Sequence, residues 1–183
     1  MKVGLLFGTF DPVHLGHIQI GHNILLNNLA DKVWFVITPM SPFKIDREVS
    51  LINDRINMLK LAVNEYTNFS VSDVELSLPS PNYTVNTLQY LKHKHPHKQF
   101  SLIMGSDNYA NLSKWESHQY ILDNFTIHVY KRKKYPTQGI KCIPGQYFDI
   151  SSSYIREHIN LKTSHGFLHK LVLKYIQKNK LYS

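Results

Sequence analysis

A chain of 183 residues, 43% hydrophobic and 19% charged, can bury a core without a disulfide or metal staple, which excludes a disordered or fibrous polymer. No apolar run nears the roughly eighteen residues of a membrane span, and a lone cysteine, Cys142, excludes a disulfide framework. One cytoplasmic domain over residues 1–183 is expected, its charge of +8 reading as a solvated basic surface rather than a nucleic-acid stripe, because no aromatics interleave with a basic face.

Val3 to Phe7 is a short apolar run of the kind that forms a strand covered on both faces of a parallel sheet. Gly8 stops it, and Asp11-Pro12 favours a turn and bars helix before Val13. From about Leu15 a helix follows, with Leu15, Ile18, Leu25 and Leu29 on one apolar face. His14 and His17 then project from the same side of its first turn, beside free N–H groups and the positive end of the helix dipole, a place that suits phosphate. The pair alone leaves two other readings open: separate histidines, one capping and one half-buried, or part of a zinc site short of ligands. The whole string Gly8-Thr9-Phe10-Asp11-Pro12-Val13-His14-Leu15-Gly16-His17 resembles the GTFDPVHxGH signature of the nucleotidylyltransferase superfamily, specifically the bacterial nicotinate mononucleotide adenylyltransferase family. The resemblance implies that Gly8, Thr9 and Phe10 of the loop, with His14 and His17, hold the triphosphate of ATP.

Val33 to Ile37 reads as a second buried strand, closed by Thr38-Pro39. In the loop after it, Lys44 keeps the cation that the family places near the phosphates, while Phe43 departs from the family's usual histidine. Ser50 is expected to cap a helix carrying Ile52, Ile56, Leu59 and Val63. Alternation over Val71 to Leu78, with Val74, Leu76 and Leu78 on one face, predicts a short strand before Pro79. Pro81-Asn82-Tyr83-Thr84-Val85-Asn86-Thr87-Leu88 is similar to the family's P-S-Y-T-x-x-T-L, opening a helix that Pro96 ends; by that likeness Tyr83 and Thr84 lie beside the second substrate.

Phe100 to Met104 is a buried strand running into Gly105-Ser106-Asp107, the place where a doubly wound sheet meets its nucleotide; Asp107 can accept from ribose hydroxyls or cap the next helix. The run from Met104 to Asn124 resembles the same family, which sets Trp115 near the pyridine base. Phe125 to Tyr130 is a further strand, Lys131 to Gly139 a basic loop, and Ile140 to Ile143 a short extended piece. Ile150-Ser151-Ser152-Ser153-Tyr154-Ile155-Arg156 resembles the family's ISSTxIR motif, which implies phosphate contacts from Ser151, Ser153 and Arg156. Leu168, Leu171, Val172, Tyr175 and Ile176 predict an amphipathic closing helix.

Helix patterns alternating with buried strands predict an α/β fold, a doubly wound Rossmann-like parallel sheet with helices on both faces, and the Gly8 and Gly105 turns flanking its switch point. The resemblance implies adenylyl transfer from ATP to nicotinate mononucleotide, with His14, His17, Lys44 and Arg156 as catalytic donors or cations and Mg²⁺ arriving with ATP rather than in a protein metal site. Sibling acceptors (nicotinamide mononucleotide or phosphopantetheine) and nucleotide binding without turnover are the alternatives.

Overall fold

The computed structural model describes residues 1–39, 49–133, 135 and 137–182. Strands β1 (Lys2–Gly8), β2 (Lys32–Ile37), β3 (Phe69–Ser72), β4 (Gln99–Gly105) and β5 (Thr126–Tyr130) lie in the order β3-β2-β1-β4-β5, with every neighbouring pair parallel. Between them run α1 (Leu15–Leu26), α2 (Ile52–Val63), α3 (Thr84–Lys94), α4 (Ser106–Ala110) and α5 (His118–Asn124). After β5 come α6 (Ser152–Glu157), α7 (Lys162–His165) and α8 (Lys170–Lys178). The order runs outward through β2 and β3 on one side and through β4 and β5 on the other, so the chain parts at the β1–β4 boundary, the switch point of a doubly wound sheet.

Both faces of the sheet are covered, which is why its strands are apolar runs rather than alternations. On β1, Val3 and Leu5 join one core and Leu6 the other; on β4, Phe100, Leu102 and Met104 join the first and Ile103 the second. The second core is the larger, built with Ile18, Ile20 and Ile24 of α1, Met58 and Leu59 of α2, and Val172 and Ile176 of α8. The first is closed by Val85, Leu88 and Leu91 of α3 and by Ile121 of α5. Each such side chain contributes roughly 1.5–3 kcal/mol by burial, so the two cores hold β1 and β4 in fixed register and with them the loops at their ends.

Three expectations need correction. Ser50 does not cap α2, whose N-cap is Leu51, without a side-chain cap bond; the Ser50 carbonyl instead accepts from Arg55 Nε at 3.0 Å. Val74–Ser77 is a 3-10 turn, not part of a strand. There the alternation is inverted: Glu75 is buried at 2% exposure and Leu76 lies 45% exposed, because partners from α3 and its approach claim the glutamate. On α1 the buried positions include Ile18, Ile20 and Ile24, while Leu25 and Leu29 are only partly buried.

Candidate active site

The loop leaving β1 turns on Phe10, which takes a left-handed φ of 48° and buries its ring against Phe35 and the edge of His17, with centroids 5.9 and 5.0 Å away. Burying a phenylalanine repays the roughly 1–2 kcal/mol that a left-handed residue costs. Its side chain is therefore core, and what Phe10 can offer a ligand is its backbone.

His14 occupies the N-cap of α1 and His17 its third position, with ring centroids 3.8 Å apart. The His14 backbone N–H donates to His17 Nδ1 at 3.2 Å, so that nitrogen serves as an acceptor. His14 stands at the N-cap and His17 is half-buried, and the two rings lie against each other, tilted by 32°, rather than apart. His14 is 4% exposed; burial first, then the positive charge of Arg132, lowers its pKa to about 3, so it is a neutral donor or acceptor and not a cation. A Cβ on Gly16 would lie 2.9 Å from His14 Nδ1, so only glycine lets the ring sit this close to the helix.

Helix α6 is fastened to the same loop. Ser152 Oγ donates to the Pro12 carbonyl at 2.9 Å, Arg156 Nη1 donates to the Asp11 carbonyl, and Arg156 Nη2 donates to Ser153 Oγ at 3.0 Å. Ser151 caps α6, its Oγ accepting from the Tyr154 N–H at 3.1 Å. From the opposite side Arg55, 2% exposed, donates to the carbonyls of Thr9 (3.0 Å), Thr38 (2.8 Å) and Pro39 (2.9 Å) as well as Ser50. It locks the ends of β1 and β2 together.

Three cavities open along this end of the sheet. One of about 320 Å³ is lined by His14, Gly16, Tyr130, Arg132 and Phe148 among others; a second of about 700 Å³ by Asp107, Arg132, Ser151 and Tyr154. Arg132 is common to both: its N–H donates to Ser106 Oγ at 3.0 Å and its Nη2 to the Tyr130 hydroxyl at 3.3 Å. Asp107 folds back over Gly105, where any side chain would collide with its carboxylate. The third cavity, about 670 Å³, is lined by Gly8, Thr9, Glu75, Tyr83, Thr84 and Trp115, with Asn82, Asn108 and Lys114 nearby. Glu75 accepts at Oε1 from the Thr87 hydroxyl at 2.8 Å, its carbonyl accepts from Asn82 Nδ2 at 2.9 Å, and burial raises its carboxyl pKa against the pull of neighbouring hydroxyls.

Among the described residues, the buried side-chain nitrogens and oxygens without a hydrogen-bond partner are His14 Nδ1, Asp107 Oδ1, Arg132 Nε and Glu75 Oε2. All four belong to residues lining these cavities. Folded proteins satisfy nearly all buried polar groups, so four orphans at one end of a sheet mark a place that water or a ligand completes.

The sequence-derived candidates therefore divide. Gly8, Thr9, Tyr83, Thr84 and Trp115 share the third cavity; His14 lines the first; Asp107 and Ser151 line the second. His17, Phe10, Gly105, Ser153 and Arg156 line none of the three and support the residues that do; Lys44 and Phe43 lie outside the described residues. Sequence reasoning missed Arg132, Arg55 and Glu75. Arg132 was hidden in a basic run, yet its place just past a strand's carboxyl end was a signal; Arg55 showed as a charge on a stripe otherwise apolar, and Glu75, on the polar side of an alternation, gave no signal.

A parallel sheet with a histidine-bearing loop after its first strand, and cavities at its switch point, defines a doubly wound α/β protein of the nucleotide-binding type. The family profile for cytidylyltransferase-like proteins matches residues 5–158. A relative from Flavobacterium psychrophilum named "Probable nicotinate-nucleotide adenylyltransferase" is 42% identical, covering 100% of this chain and 99% of its own; one of the same name from Bacillus cereus (strain AH187) is 35% identical, covering 99% and 98%. The chain belongs to the cytidylyltransferase-like family and, within it, to the nicotinate-nucleotide adenylyltransferases. The fold is also that of the Plasmodium falciparum nicotinic acid mononucleotide adenylyltransferase complexed with NaAD, at a TM-score of 0.82 and 22% identity over 99% of this chain and 97% of that one.

Proposed function

We propose that this protein transfers the adenylyl group of ATP to nicotinate mononucleotide, giving the dinucleotide and pyrophosphate as a step of NAD biosynthesis. The observation that carries the reading is the set of four orphaned polar atoms, three around Arg132 and one in the Trp115 cavity, at the switch point of a sheet with this family's sequence.

The acceptor phosphate attacks the α-phosphorus of ATP, a P–O bond forms, and the bond to the departing pyrophosphate breaks. An acceptor phosphate with a second pKa near ~6 is already mostly dianionic at neutral pH and needs no general base. The work lies in bringing two polyanions together and absorbing charge on the leaving group. Arg132 supplies a fixed cation between two cavities; the neutral His14 ring supplies a donor or acceptor that adds no charge of its own, and the His17 imidazole lies against it. Thr9 and Ser151 offer hydroxyls, Arg156 braces the loop, and Lys44 is assigned to the phosphates by its place in the sequence. The phosphate oxygens of the nucleotide are the hard ligands Mg²⁺ prefers, and the ion, arriving with ATP, would neutralise part of the triphosphate charge. In the third cavity, Trp115 offers a flat face for a pyridine ring beside Tyr83 and Thr84.

The deciding experiment measures pyrophosphate release from MgATP with nicotinate mononucleotide, nicotinamide mononucleotide and phosphopantetheine in parallel. Release fastest with nicotinate mononucleotide supports the assignment. Release with none of them overturns it.

A further inference from the structure

Just past α8, the chain folds back on that helix, with the Leu181 N–H donating to the Ile176 carbonyl at 3.1 Å and the Asn179 N–H to that of Tyr175 at 3.1 Å. The turn carries left-handed residues at Lys180 (φ 51°) and Tyr182 (φ 65°), and Leu181 and Tyr182 pack against the larger core. The Tyr182 hydroxyl donates to Asp11 Oδ1 at 2.7 Å across 171 positions of sequence. Asp11 is 1% exposed and sits in the loop whose next turn begins α1 at His14.

A carboxylate this deeply buried is costly unless donors reach it. Arg156 holds the backbone of the same residue by its carbonyl, so Asp11 is gripped on its main chain by residue 156 and on its side chain by residue 182. Burial and the neighbouring aspartate both raise the hydroxyl's pKa, so it keeps its proton as a donor throughout the working range. Helix α8, which delivers Tyr182, is itself pinned to α2: the Tyr175 hydroxyl donates to Asp54 Oδ1 at 2.8 Å and accepts from Asn57 Nδ2 at 3.0 Å. Loop 9–13 is thus tied to the α2–α8 pair twice, by Arg55 on the Thr9 carbonyl and by this phenol, and of the two only the phenol grips the Asp11 side chain.

We propose that Tyr182 is a positioning residue for adenylyl transfer, its hydroxyl holding the Asp11 carboxylate so that the loop presents Thr9 and His14 to the phosphates. It touches no reacting atom; it acts through Asp11. The proposal rests on the adenylyl-transfer reading. An inactive wild-type protein sinks that reading, whereas an active wild type that does not notice the loss of this hydroxyl sinks the proposal alone.

The test compares Tyr182→Phe, Asp11→Asn, the double variant and Leu181→Ala. Tyr182→Phe keeps the ring and removes one oxygen. It is expected to lower kcat/KM for ATP by roughly ten- to a hundred-fold, as a small misplacement of reacting groups does, with KM for the mononucleotide within twofold of wild type. Asp11→Asn is expected to lower it comparably, and the double variant to fall no further than the worse single one. Leu181→Ala, a packing control on the same turn, is expected to lower the melting temperature with kcat retained. The proposal is overturned if Tyr182→Phe stays within twofold of wild type for ATP, if the two losses multiply in the double variant, or if Tyr182→Phe behaves like Leu181→Ala, losing stability alone.

Discussion

The two halves of the cleft are built by different means. On the phosphate side, donors from distant parts of the chain converge on one short loop: Arg55 on Thr9, Arg156 and Tyr182 on Asp11, and Ser152 on Pro12. On the acceptor side, Glu75, Asn82 and Thr87 are neighbours in sequence, bonded to one another, and the wall is completed by one half-buried tryptophan. The difference fits the ligands proposed for each. A triphosphate demands fixed donors and resists any displacement of them, so its loop is over-determined; a pyridine nucleoside is held largely by shape and stacking, and a locally organised pocket is enough.

The largest effect expected of any break in this contrast comes from Arg55, because it serves both walls. Arg55→Met strands four carbonyls and should destabilise the protein by roughly 3–5 kcal/mol in urea unfolding, with activity lost in proportion to the folded fraction. A loss under 1 kcal/mol would show that water replaces it. Next, His17→Ala should leave the melting temperature nearly unchanged and lower turnover sharply, a lost transition-state donor being worth roughly ~3 kcal/mol. Near-normal turnover would remove this imidazole from the phosphate side. Trp115→Ala should raise KM for the mononucleotide by the roughly ~1–3 kcal/mol that ring stacking is worth while leaving KM for ATP close to wild type. Equal changes in both constants would erase the division between the two halves.

The smallest effect is a pH dependence. His14 titrates near 6.5 unfolded and at about 3 folded, so below pH 6.5 the unfolded chain takes up a proton that the folded chain refuses. Stability is then full above pH 6.5 and falls toward pH 3 by at most about 1.4 kcal/mol per pH unit from this group. Unfolding measured from pH 7 to 5 should show that slope in the wild type and a flatter one in His14→Gln. Parallel slopes would place the burden on other groups.

Much of this was legible in the sequence for a physical reason: strands covered on both faces must be apolar runs, and Val3–Phe7, Val33–Ile37 and Phe100–Met104 could be little else. The signature string carried the loop, and the family likeness carried Tyr83 and Trp115. What escaped was decided by tertiary partners. Val74-Glu75-Leu76 reads as alternation until Thr87 and Asn82 claim the glutamate. Helices α5 and α7, of seven and four residues, are too short to display a helical period. Tyr182 is one more aromatic in a polar stretch until Asp11, 171 positions away, gives it a task.

The carbonyl oxygens of Thr9, Asp11 and Pro12 are each taken by a guanidinium or a hydroxyl. In a trans peptide the amide hydrogen points opposite to its carbonyl, so drawing the oxygens of Thr9 and Pro12 aside turns the hydrogens of Phe10 and Val13 the other way. An arriving polyanion would therefore meet a main chain in which three of the loop's carbonyl oxygens are already engaged. This polarity is sorted when the chain folds, so none of the cost of reorienting dipoles is left to the moment of binding.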